Sequence, residues 1–254
     1  MAGVRWPKFG SIPILQIRLM KRTSFDFRTT MVVSSKIKAA VFDVDGMLLD
    51  TRELVFRTYE HTLTSHGYPA PPKDAVSAVI GMQVHESYLI LVPEADVELI
   101  VETHRTFQNE NLHLVIPYEG LEKMLAKLHA AGIKMAVFTS RGPGAREILK
   151  DAGVLRFFET VITADDVVKH KPDPEGLFEA LKGLKVDAEN AAMLGDAPYD
   201  IQAGKVAEVG LTIGITHGFG TREDLEKTKP DFIVDSLAEI PAILLGKMVG
   251  NDPD

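Results

Sequence analysis

Short apolar runs rich in β-branched residues recur along this chain at 37–42, 133–139, 159–163, 190–194, 209–215 and 231–234. Helical stretches lie between most of them, at 119–131, 143–152, 174–183, 199–207 and 236–247. Strands alternating with helices read as a parallel sheet covered on both faces. The expected fold class is therefore α/β, a doubly wound, Rossmann-like parallel sheet. The interval from about 52 to 117 breaks the alternation. Its segments "RELVFRTYEHTLTSHG" and "EADVELIVETHRTFQNENLH" have helical apolar spacing, and "YPAPP" interrupts the chain between them. It reads as an inserted all-helical unit over the carboxyl edge of the sheet. The expected organisation is a basic extension over 1–36, a core over 37–51 and 118–247, a helical insert over 52–117 and a tail over 248–254.

Composition removes several function classes. The 254 residues suffice for a sizeable hydrophobic core, and 45% hydrophobic with 25% charged residues is ordinary for a globular protein. No apolar run approaches the roughly 20 residues that span a bilayer, so no membrane partner is expected. The absence of cysteine excludes disulfides, thiol catalysis and thiolate metal sites. A formal net charge of -8 argues against a nucleic-acid surface but leaves room for a local basic pocket that binds an anion. Residues 1–36 run against this trend, with seven basic residues against Asp26 alone. They show no apolar h-region or small-residue cleavage pattern, so no secretory signal is expected. The expectation is a cytoplasmic protein with a non-catalytic extension, or one whose natural start is Met31; organellar import through residues 1–30 is the second reading. Nothing in the sequence sets an oligomeric state.

Ligands of open α/β sheets bind beyond the carboxyl ends of the strands. Asp43, Val44, Asp45 and Gly46 follow the first run, and Thr139 and Ser140 follow the second. "KHKPDP", with Lys169 and Lys171, comes a few residues after the third, and "GDAPYD", with Asp196 and Asp200, ends the fourth. Four strand ends thus deliver carboxylates, hydroxyls and an ammonium to one rim. Gathered carboxylates repel unless a cation neutralises them, and an all-oxygen set without His or Cys suits Mg²⁺. Thr139, Ser140 and Lys171 are donors suited to an anion with several acceptor oxygens, such as phosphate. A hard metal, an anion clamp and a spare carboxylate together point to phosphoryl transfer, in which one aspartate attacks phosphorus and another manages the leaving-group proton.

In order along the chain, "DVDGMLLDT", "VFTS", "HKPDP" and "LGDAPYD" resemble the four motifs of the haloacid dehalogenase (HAD) superfamily. The helical interval falls where the subgroup similar to phosphoglycolate phosphatases and β-phosphoglucomutases carries a cap. The resemblance covers residues 37 to about 240. It implies Asp43 as nucleophile and Asp45 as general acid and base. It places Thr139, with the backbone around Ser140, on the phosphoryl group, and Lys171 on both the nucleophile and that group. Mg²⁺ would be held by Asp43, the carbonyl of Asp45 and Asp196, with Asp200 ordering its waters.

Departures narrow the choice. Met47 replaces the usual Thr or Val, which touches packing and not chemistry. Members that break carbon–halogen or carbon–phosphorus bonds lack the second aspartate, so Asp45 favours an ester. The β-phosphoglucomutases carry a His and an Arg in the cap where an ungapped reading places Val55 and Val84 here. The expected function is a Mg²⁺-dependent phosphatase acting on a small phosphorylated metabolite, phosphoglycolate- or sugar-phosphate-like, through an aspartyl-phosphate. A sugar-phosphate mutase is the alternative enzyme, and a non-catalytic binder on the same scaffold the alternative class. "GPGARE" lacks the third glycine of a dinucleotide loop and carries Pro143. Lys169 reads as a surface charge, and the eight histidines show no metal-ligand spacing, with His66, His85 and His104 in the helical insert.

Overall fold

A computed structural model describes residues 37–142 and 144–246. The basic extension expected over 1–36, the tail over 248–254 and Pro143 lie outside the described residues. In chain order, β1 (Ala39–Phe42) and β2 (Leu49–Asp50) lead into α1 (Arg52–Ser65), α2 (Lys73–Ser77), α3 (Val84–Leu91) and α4 (Val97–Glu110). The chain returns through β3 (Ile116–Pro117), α5 (Leu121–Ala130), β4 (Lys134–Phe138), α6 (Gly144–Asp151), β5 (Thr160–Ile162) and α7 (Glu175–Leu184). It finishes with β6 (Ala191–Gly195), α8 (Pro198–Val206), β7 (Leu211–Ile215), α9 (Arg222–Thr228), β8 (Phe232–Val234) and α10 (Ile240–Leu244).

Six strands form one parallel sheet in the order β5-β4-β1-β6-β7-β8, on the expected runs. β1 lies at its centre, where the connection runs to β4 and β5 on one side and to β6, β7 and β8 on the other. That reversal makes a crevice at the carboxyl end of β1. Alternate residues face opposite layers, as a period of two requires. Ala40, Phe42, Val137 and Leu194 pack with α5, α6 and α10, while Ala39, Val41, Phe138 and Met193 pack with α7 and α8. The helices of 52–110 bury a cluster of their own, including Tyr59, Leu63, Tyr88 and Ile100. Among the described residues, no helix is long and apolar enough to cross a membrane.

Three details depart from the expectation. The interval 52–117 is not wholly helical, because Ile116 and Pro117 pair antiparallel with Asp50 and Leu49. A two-residue strand is too short to show a period. α9 had no expected counterpart; with Leu225 as its one buried residue it has no apolar stripe, and its start is set by Thr221, whose Oγ1 accepts from the Asp224 N–H. The last expected helix is divided, with a tight 3₁₀ turn at Leu237–Glu239 before α10.

One packing contact ties the core to the rim. A Cβ on Gly176, in the first turn of α7, would overlap the Phe138 ring, and the Lys171 ammonium sits 4.8 Å above the centre of that ring. Gly176→Ala should therefore displace Phe138 and cost about 1–3 kcal/mol, the usual range for overpacking. Urea unfolding measures this, and an unchanged midpoint and slope would show that the ring has room to move.

Candidate active site

The sheet brings the expected residues together at one point. The Asp43 N–H donates to the carbonyl of Leu194 at 2.9 Å, continuing the β1 ladder and fixing the carboxylate at the strand's end. The chain turns at once through Gly46, at φ +80°, where a Cβ would overlap the Asp196 carboxylate. Thr139 follows β4, and its N–H donates to Ile162 at 3.0 Å. Asp196 follows β6, and Asp200 lies in the first turn of α8. Lys171 arrives from the loop after β5 and is the keystone: its Nζ donates to Asp43 Oδ1 and to Asp200 Oδ1, each at 2.7 Å. The other oxygen of Asp200 accepts from the Ala197 N–H at 3.0 Å.

Asp43, Asp196 and Asp200 are all buried, and each offers one oxygen within 4.8 Å of the others. Their protonation shows the strain of that arrangement. Burial, opposed by Lys171 but reinforced by the charges of Asp200 and Asp45, pushes the Asp43 carboxyl up to about 7. Burial and the charges of Asp43 and Asp200 hold Asp196 well above the usual range, although its Oδ2 accepts from the Phe219 N–H at 2.6 Å. Burial would lower Lys171, but Asp200 and Asp43 outweigh it and raise the ammonium. Three carboxylates thus gather around one lysine that bonds two of them, and the excess negative charge fits a divalent cation. The oxygen-only donors suit a hard ion.

Two residues have side-chain partners that the motifs alone do not show. The Ser140 hydroxyl donates to the Gly81 carbonyl at 2.9 Å, so its side chain joins the strand end to the helical segment and is not free for a phosphate. Asp45 stands apart from the carboxylate cluster. Both its oxygens are gripped by Arg141, through Nη2 at 2.5 Å and Nε at 3.1 Å. Burial would raise the Asp45 carboxyl, but the Arg141 charge and hydrogen bonds more than offset it and hold the group below the ordinary range. Arg141 was missed because it stands one residue beyond the motif; an arginine at a carboxylate-bearing strand end was the available signal.

These groups open into a cavity of about 330 Å³ whose opposite wall belongs to the helices of 52–110. Val55 and Val84 line it, as do His104, Gln108 and Asn109 of α4. His66 is bonded to Thr103 and His85 faces Glu98, and neither lines the cavity. Lys169 is exposed beside Asp173.

A family model described as haloacid dehalogenase-like hydrolase matches residues 40–213, a span that holds all of these strand ends. The chain belongs to that family. It is 32% identical over 211 residues to the protein named pyrophosphatase PpaX of Bacillus cereus (strain Q1), covering 82% of this chain and 97% of that one. Among solved structures it is similar to a "predicted phosphoglycolate phosphatase" of Haemophilus somnus 129pt, with a TM-score of 0.74, 22% identity, and 83% and 99% of the two chains covered. It is similar also to a β-phosphoglucomutase of Clostridium difficile, with a TM-score of 0.70, 22% identity, and 80% and 93% covered. At those identities the two structures show the shared fold.

In this haloacid dehalogenase-like hydrolase the helical wall carries an unusual histidine. His104 is buried against Tyr59 and Tyr88, and its Nδ1 is bonded to the Tyr88 hydroxyl at 2.8 Å. Burial, with the charges of Arg141 and Arg105, pushes its pKa down to about 3. An unfolded histidine takes up a proton near pH 6.5 and the folded one does not, so acid favours unfolding. The stability held by a neutral His104 is full above pH 6.5 and is lost as pH falls toward 3. Between pH 7 and 5 the loss should be about 2 kcal/mol. Denaturation of wild type and His104→Gln at both pH values isolates it as a difference of slopes; parallel curves would show that His104 charges freely when folded.

Proposed function

We propose that this hydrolase is a Mg²⁺-dependent phosphatase of small phosphorylated metabolites that works through an aspartyl-phosphate on Asp43. The supporting observation is the Lys171 ammonium between Asp43 and Asp200, with Asp196 beside them. Asp43, the main-chain carbonyl of Asp45 and Asp196 would hold the ion, and Asp200, with both oxygens already engaged, would lie outside them. When bound, the ion neutralises the oxygens of the phosphoryl group. Lys171 holds Asp43 Oδ1, which leaves Oδ2 to attack phosphorus. The Thr139 hydroxyl accepts from the Arg141 N–H at 3.2 Å and keeps its own hydrogen for a phosphoryl oxygen. As the bond from Asp43 to phosphorus forms, the bond to the leaving oxygen breaks; Asp45, which Arg141 keeps ionised in the free protein, has to take up a proton from solvent first and passes it to that oxygen. A water then attacks the acyl phosphate, returns a proton to Asp45 and frees phosphate and Asp43. The helices of 52–117 serve as a cap, and a cavity at the small end of ligand sites suits a compact metabolite.

Phosphate release from p-nitrophenyl phosphate with and without chelator tests this reading. We expect activity that depends on Mg²⁺ and falls at least about 1,000-fold in Asp43→Asn, which loses the attacking oxygen. The variant should melt no lower than wild type, since it removes a charge that burial disfavours. Mg²⁺ should raise the melting temperature of wild type and do so far less for Asp196→Asn. Substantial Mg²⁺-dependent turnover by purified Asp43→Asn would remove the residue from its role.

Sugar-phosphate isomerisation is the weaker reading. Val55 and Val84 line the cavity, and neither side chain can hydrogen-bond to a sugar. Offered glucose 1-phosphate with a trace of the 1,6-bisphosphate, the enzyme should release phosphate or do nothing. Rapid formation of glucose 6-phosphate with little free phosphate would make it a mutase.

A further inference from the structure

The leaving side of the cavity carries polar groups that the phosphoryl-transfer step does not use. Arg141 is nine-tenths buried and lines the cavity between Asp45 and α4. A guanidinium has five N–H donors in a planar fork. Nε and Nη2 are aimed at Asp45, whereas Nη1 reaches only the Gln108 Oε1 at 3.4 Å, a long contact. One edge of the fork is therefore weakly committed, in a residue that lines the cavity. His104 and Gln108 are four residues apart on α4, which puts them on one face a turn apart. His104 has its Nε2 without a protein partner among the described residues and is neutral near pH 7; when the Tyr88 hydroxyl donates to Nδ1, the hydrogen of the ring is on Nε2 and available to an anion. Of the neighbouring acids, Asp45 is held by Arg141 itself and Asp165 lies near Arg105 at 3.7 Å. Lys171 is already shared between two carboxylates.

Resting on the phosphatase reading for its orientation, we infer that Arg141, with His104 and Gln108, forms a receptor for a second anionic group on the leaving side of the substrate. Preferred substrates are then small phosphate esters or anhydrides whose leaving group carries a carboxylate or a phosphoryl group. Esters of neutral alcohols leave the fork unused. A buried cation, a neutral imidazole and an amide suit a compact anion, since a planar fork takes two oxygens of either group at once. By holding Asp45 with one edge and the leaving group with the other, Arg141 also sets the acid beside the oxygen it serves.

Binding of stable analogues tests the receptor apart from turnover. Methylenediphosphonate carries a second phosphoryl group, phosphonoacetate a carboxylate, and methylphosphonate neither. Titration calorimetry with excess Mg²⁺ should show wild type binding at least one of the first two about 30-fold more tightly than the third, as loss of a buried charge partner implies. Which of the two it prefers identifies the group. Because Arg141→Gln alone would strand Asp45, the comparison is Asp45→Asn against Asp45→Asn with Arg141→Gln. The single variant should keep the preference and the double should lose it; chelation of Mg²⁺ by the ligand is common to both and cancels. Gln108→Leu leaves the Asp45–Arg141 pair intact and should reduce the preference about two- to tenfold. A preference that survives in the double variant, or is absent from wild type, overturns the receptor. Strong preference without hydrolysis of any ester would sink the phosphatase reading and leave the receptor standing. Hydrolysis of p-nitrophenyl phosphate with no preference among the analogues would do the reverse.

Discussion

The ammonium of Lys171 is the interaction on which the rim depends. A buried carboxylate is costly unless paired, and three of them in one place would drive the strand ends apart. Lys171 answers two of the three directly, at 2.7 Å each, and the Phe219 N–H answers the third. The surroundings are shaped to permit it. Phe138 supports the ammonium from below, Gly176 leaves space for that ring, and Gly46 and Gly218 leave space for the Asp196 carboxylate. The carboxyls of Asp43 and Asp196 still titrate above their usual range, so one lysine is insufficient and the site favours a further positive charge.

The two buried cations divide the work by shape. A lysine ammonium is a compact point charge with three donors, suited to sit between carboxylates. An arginine fork has direction, and here it lies between Asp45 and the helical wall. On the proposed reading Lys171 belongs to the attacking half of the site and Arg141 to the leaving half, and the Thr139 hydroxyl accepts from the Arg141 main-chain N–H. Exchanging the two residue types would place a point charge where two oxygens must be held in a plane. It would also put a wide fork where the carboxylates already crowd.

Much of this was legible in the sequence because it depends on strand ends. Each strand carries a local period, and whatever follows a parallel strand must arrive at the same edge, so Asp43, Asp45, Thr139, Lys171, Asp196 and Asp200 converge without knowledge of any distance. What was illegible depends on long-range contacts with no local trace. Arg141 meets Asp45 across 96 positions, and the Phe219 amide reaches Asp196 across 23 from a loop with no motif. Ser140 spends its hydroxyl on Gly81, 59 positions away. The pairing of Leu49–Asp50 with Ile116–Pro117 is too short to alternate, and α9 has too few buried residues to show a stripe. His104 looked ordinary because the tyrosines that hold it neutral lie in two other helices.

The two walls of the cavity then decide how a ligand can lie in it. Val55 and Val84 present apolar surface, while His104 and Gln108 come from a single face of α4. A flexible sugar, with hydroxyls around its ring, would leave several of them unpaired against the valines, and each unpaired group in a closed site costs free energy. A compact anion has its acceptors at one end and asks nothing of the apolar wall. The polar wall also lies beside Asp45, so on the proposed reading a group bound there would leave on the side of the acid. On that reading chemistry and selection meet at Arg141, which touches both Asp45 beyond β1 and Gln108 of α4.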